Sequence, residues 1–108
     1  TKAPFLRHWL CTNGYCISAE KASVSGDHAY TVMRVSYTGW RCKVSEYDLY
    51  CYAGELACEL SEEARAYLWR TVSSLKRQET GVEQVNPEKA ARLRCLINKL
   101  ITVIEEGK

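Results

Sequence analysis

Six cysteines, two histidines and a few spaced carboxylates are the residues of this 108-residue chain with chemistry to offer. Cys11, Cys16, Cys42, Cys51, Cys58 and Cys95 could serve as nucleophiles, metal ligands or halves of disulfides. No pair among them shows the C-x-x-C spacing of zinc ribbons or redox enzymes. Cys11 and Cys16 flank Thr12-Asn13-Gly14-Tyr15, and Asn-Gly is a strong hairpin dipeptide. A type I′ turn there sets the two thiols directly opposite with close Cβ atoms, so Cys11 and Cys16 form a candidate disulfide. Zinc at the same place needs two more ligands from His8, His28 or another cysteine, at no known family spacing, so no metal or cofactor is expected.

Catalytic constellations are not visible. His8 beside Cys11 would make a thiol/base pair, but in a regular strand the two point to opposite faces. Glu55 and Glu59 share a strand face, where a solvated surface explains them as well as acid/base chemistry does. HExxH, GxSxG, a glycine-rich phosphate loop and an EF-hand loop are all missing, so the chain reads as non-enzymatic.

Composition is that of a globular domain, 46% hydrophobic and 26% charged, with a net charge of +2. No global field drives it onto nucleic acid or membrane. The longest apolar runs are a few residues, which excludes a transmembrane helix and leaves no signal-peptide core in the sequence as given. A cytoplasmic location is expected. A secreted, disulfide-stabilised domain is the alternative raised by the even cysteine count.

The elements that would position these groups follow from periodicity. Residues 29–60 alternate apolar and polar with period two, broken at Thr38-Gly39, Ser45-Glu46 and Ala53-Gly54. Two-residue turns at those breaks give mutually consistent registers, with Val35 facing Cys42, Cys42 facing Leu49 and Leu49 facing Cys58. Cys42, Cys51 and Cys58 then sit on a buried face as small apolar residues. Adding a hairpin Phe5–Thr12 and Tyr15–Ala19 predicts an antiparallel meander of about six strands, with Glu20–His28 as a surface loop.

Beyond residue 60 the period changes. Ser61 followed by Glu62-Glu63 starts a helix whose stripe is Ala64, Tyr67, Leu68, Thr71, Val72 and Leu75, ending near Gly81. Asn86-Pro87 starts a second, with Ala90, Leu93, Ile97, Leu100 and Ile104 at spacings of three and four. Cys95 falls opposite that stripe, with Glu88, Arg92 and Lys99. The expected fold is a single α+β domain over 1–108, mostly β over 1–60, with two antiparallel helices over 61–108 covering one sheet face.

The reverse face of that sheet would carry Arg34, Arg41 and Lys43 beside Tyr50 and Tyr52, with Asp48, Glu55 and Glu59 nearby. A basic, aromatic sheet can hold single-stranded nucleic acid, and a bipolar surface with exposed tyrosines suits a protein partner. Trp69 lies off its helix stripe near Arg65 and Lys76, a frequent setting for an interface anchor. The expectation is a small interaction protein that binds a protein through Arg34, Arg41, Lys43, Tyr50, Tyr52 and Trp69, as monomer or homodimer. Compact regulators and phage-encoded inhibitors such as anti-CRISPR proteins share this profile. A single-stranded nucleic-acid-binding module using the outer sheet face is the alternative.

Overall fold

A computed structural model describes residues 3–26, 28–58 and 60–106. Its elements run α1 (Ala3–Thr12), β1 (Tyr15–Ser25), β2 (His28–Tyr37), α2 (Leu49–Ala53), a 3-10 turn (Gly54–Cys58), α3 (Glu62–Val82) and α4 (Pro87–Glu106). The class is α+β, but the sheet has two antiparallel strands among the described residues, and the helices number four. This overturns the meander of about six strands.

Residues 5–12 are helical, not extended. Pro4 sits in the first turn of α1, where its missing N–H costs nothing, and Arg7 and Leu10 are buried one turn apart. A buried arginine breaks the apolar period by which an amphipathic helix is recognised. Asn13-Gly14 therefore joins a helix to a strand. Gly14 has φ of 90°, and its carbonyl accepts the Thr38 and Gly39 N–H groups at 2.8 and 2.9 Å. A Cβ there would stand 3.2 Å from the Gly39 backbone and the Tyr37 ring, so glycine permits both the turn and the approach.

Glu20–His28, read as a loop, supplies half of a strand and the hairpin turn. Ser25 pairs with His28 beside Gly26, and the ladder runs back to Tyr15 against Tyr37, with an irregularity between Ile17 and Ala19. Ala22, Val24 and Ala29 lie against the core.

Residues 38–48 form no strand, and the next segment winds into α2 and the 3-10 turn. Asp48 caps α2 by accepting the Tyr50 N–H at 2.9 Å, and Gly54 ends it with φ of 55°. The expected pairings of Val35 with Cys42, Cys42 with Leu49 and Leu49 with Cys58 are lost with the strands. Cys51 is fully buried, whereas Cys42 and Cys58, also expected inside, are exposed.

The helical half follows the sequence closely. Ser61 accepts the Ala64 N–H at 3.1 Å, and Asn86 accepts the Lys89 N–H at 3.1 Å. Leu68, Val72 and Leu75 of α3 meet Leu93, Leu96, Ile97 and Leu100 of α4 in the main core, with Leu56 and Leu60. Arg65 on α3 donates to the Ile104 carbonyl near the end of α4. Only the placement differs: α3 packs on β1, while α4 packs on α3 and α2. Among the described residues no helix is long and apolar enough to cross a membrane.

Candidate functional site

α1 is amphipathic in reverse. It buries Arg7 completely while leaving Phe5 74%, Leu6 45% and Trp9 45% exposed. The inversion is made possible by Glu20 of β1, equally buried, whose carboxylate receives the Arg7 Nη2 and, at 3.3 Å, its Nε. Arg7 Nη1 donates to the Cys51 and Tyr52 carbonyls at 3.0 and 3.1 Å, satisfying groups that α2 leaves unpaired at its end. Glu20 also accepts the Thr31 hydroxyl at 2.7 Å and the Glu55 N–H at 3.1 Å. With this ion pair spent on joining α1, β1, β2 and α2, Phe5, Leu6 and Trp9 of α1 face outward while Leu10 stays inside.

They wall an apolar groove of about 870 Å³ between α1 and the hairpin. Leu6, Trp9 and Leu10 form one side and Ala29, Thr31, Met33 and Val35 of β2 the floor, with Tyr15, Tyr30 and Tyr67 also lining it. Trp9 stacks on Tyr15 with centroids 5.7 Å apart, and Tyr15 meets Tyr37 edge-on at 5.1 Å. Tyr37 and Trp40 are largely exposed beyond them. Scattered exposed apolar residues are ordinary, but a contiguous aromatic groove marks a contact surface.

A second groove, about 750 Å³ and more polar, continues from the first, since Phe5, Ala29 and Tyr67 line both. Its far wall holds Trp69, Arg70 and Arg77 of α3, and Tyr52 of α2. Tyr52 and Trp69 are thus brought together, as a sequence reading that put them on different layers did not expect. Trp69 is 41% exposed. The remaining expected residues are dispersed. Arg34 is exposed on β2, and Arg41 and Lys43 border a shallow cleft with Thr12 in the 38–48 loop. Tyr50 is half-buried, its hydroxyl donating to Glu55 Oε1 at 3.0 Å. Glu59 lies outside the described residues.

Cys11 and Cys16 lie on α1 and β1, not on paired strands, and all six cysteines carry free thiols. Cys11 is tied to the loop through its carbonyl, which accepts the Cys42 N–H at 2.9 Å, and His8 Nε2 contacts the Val44 carbonyl at 3.1 Å. Burial, with Cys42 and Cys16 adding, pushes the Cys11 thiol up. Burial, with Asp48 and Cys11 adding, pushes Cys51 up to about 11. A hydrogen bond to Glu55 at 3.3 Å raises Cys58. Each shift lowers the thiolate fraction, the reverse of what activates a nucleophile. Among the described residues no group of three or more His, Cys, Asp or Glu is arranged to hold a metal ion.

No known protein family, curated protein or solved structure matches the chain. The site must be read from its own geometry.

Sequence reasoning missed α1 and with it Phe5, Leu6 and Trp9. One signal was present: Pro4 followed by Leu6 and Leu10 at helical spacing, in a segment read instead as a hairpin strand leading into Asn13-Gly14.

Proposed function

We propose that this protein acts by binding a protein partner at the α1–hairpin groove, as a small regulator or inhibitor that performs no catalysis. The observation that carries this reading is the inverted helix α1. Exposing Phe5, Leu6 and Trp9 while burying an arginine leaves a large apolar area in water, and covering it offers a gain of roughly 25 cal/mol per Å². The aromatic rings fit a protein anchor, being rigid and broad with polar tips at their edges. The adjoining polar groove, with Trp69, Arg70 and Arg77, suits an acidic stretch of the same partner.

The nucleic-acid alternative is less well supported. It needed Arg34, Arg41 and Lys43 on one face with Tyr50 and Tyr52, and these residues stand on a strand, a loop and a short helix, with Tyr50 already hydrogen-bonded.

Panning a random-peptide library on the immobilised protein tests the reading. Apolar peptides should be enriched, their binding abolished by Leu6→Asp, weakened by Trp69→Ala and unaffected by Cys95→Ser on α4. Enrichment indifferent to Leu6→Asp, or no enrichment on protein that is monomeric under the panning conditions, would refute it.

A further inference from the structure

We propose that the occupant of the apolar groove is a second copy of this chain, pairing β2 with β2 across a twofold axis into a four-stranded antiparallel sheet. This rests on reading the α1–hairpin groove as a protein-binding face, and it names the partner.

β2 is an open edge. It pairs with β1 on one side, and β1 is the strand that meets α3 and the 3-10 turn. On the side away from β1, its ten residues therefore offer a row of backbone donors and acceptors that no strand among the described residues pairs. Monomeric proteins blunt such an edge with lysine, proline or a bulge. β2 reads HAYTVMRVSY, with Arg34 as its one permanent charge, no proline, and the ladder irregularity on the opposite strand. A lone two-stranded ribbon is also marginal, and two more strands complete it.

The strand is self-complementary. A twofold through Val32 sets Arg34 against Tyr30, Met33 against Thr31 and Val35 against Ala29. No like charges meet, the groove-floor residues stay together on one apolar face, and the guanidinium faces an aromatic ring. Phe5, Leu6, Trp9, Tyr30, Val35 and Tyr37 are all exposed. Together they leave on the order of 700 Å² uncovered, close to the ~800 Å² per partner of a stable interface.

The spacing fits as well. In the joined sheet β1 and its counterpart stand about 14 Å apart, at ~4.8 Å per strand. The two α1 helices, each against its own β1, are then held wider than the ~8–10 Å of direct helix contact. Phe5, Leu6 and Trp9 from both copies are the bulky side chains that fill such a gap.

Sedimentation equilibrium in reductant over a concentration series, with hydrogen–deuterium exchange on the same samples, tests the proposal. The expected result is a reversible dimer in which the amides of residues 28–37 gain protection as concentration rises. Val35→Lys, a charge on the edge strand, should weaken dimerisation about tenfold or more, while Cys95→Ser leaves it unchanged. A monomer at every concentration overturns the proposal, as does a dimer in which residues 28–37 stay unprotected or which Val35→Lys leaves intact. Peptide panning separates the two failures. A monomer that still enriches peptides sensitive to Leu6→Asp keeps the groove as a protein site with another occupant, and one that enriches none loses both readings.

Discussion

Glu20→Gln removes one charge from a completely buried pair, and its cost can be worked from the contacts. The carboxylate accepts from four donors: two Arg7 nitrogens, the Thr31 hydroxyl and the Glu55 N–H. Glutamine keeps the shape but turns one acceptor oxygen into a donor, so at least one of these groups meets an N–H head-on. Arg7, with no exposed surface, is left with its charge uncompensated. Removing one member of a buried pair costs about 3–5 kcal/mol. A domain of this size has about 5–15 kcal/mol in total. At about 4 °C per kcal/mol the midpoint should fall by roughly 12–20 °C. Urea titration followed by tryptophan fluorescence and circular dichroism measures the loss, with calorimetry for the midpoint. Arg7→Met, Glu20→Leu and their combination make a double-mutant cycle, in which the double variant should cost clearly less than the sum of these two singles. A loss below about 1 kcal/mol for Glu20→Gln would show the pair solvated and refute the account of α1 as anchored by its arginine.

Gly54→Ala attacks the same junction sterically. The residue has φ of 55°, and a methyl there would overlap the Glu20 carboxylate and the Arg7 guanidinium, so a loss of at least about 2 kcal/mol is expected in urea unfolding. Wild-type stability there would contradict it. Stability should also decline in alkali. The unfolded Cys51 thiol ionises near its ordinary 9.0 but the folded one only at about 11, so the contribution is full below 9.0 and falls away between the two as the unfolded chain sheds its proton first. Unfolding free energies across that window check the sign. At about pH 8, iodoacetamide should label exposed Cys16, Cys42 and Cys95 well before Cys51. Equal rates would contradict the burial argument. Leu100→Ala, at a side chain with no exposed surface between α3 and α4, should cost about 2–5 kcal/mol. A loss under 1 kcal/mol would mean that this helix seam is loosely packed.

The chain is legible where its hydrogen bonds are local. α3 and α4 could be placed from Ser61, from Asn86-Pro87 and from stripes three and four residues apart, because a helix satisfies its own backbone and asks its surroundings only to cover one face. The strand His28–Tyr37 was equally plain from its period of two. Alternation over residues 38–60 was as regular, yet built no ladder. A strand needs a partner for its backbone, and side-chain alternation cannot state whether one is present. There the short signals prevailed, Asp48 as N-cap and Gly54 as C-cap of α2.

The candidate site was hardest to see, because it depends on a burial that no window of sequence contains. Arg7 looks like a surface residue until Glu20, thirteen positions away, and the carbonyls of Cys51 and Tyr52 are folded around it. The sequence alone determined the α+β class, the two long helices, the strand His28–Tyr37 and the first part of β1. Tertiary structure decided which face of α1 is inside. An arginine can enter a core only when distant groups supply its counter-charge and acceptors, and once it does, Phe5, Leu6 and Trp9 are left to face whatever comes to cover them.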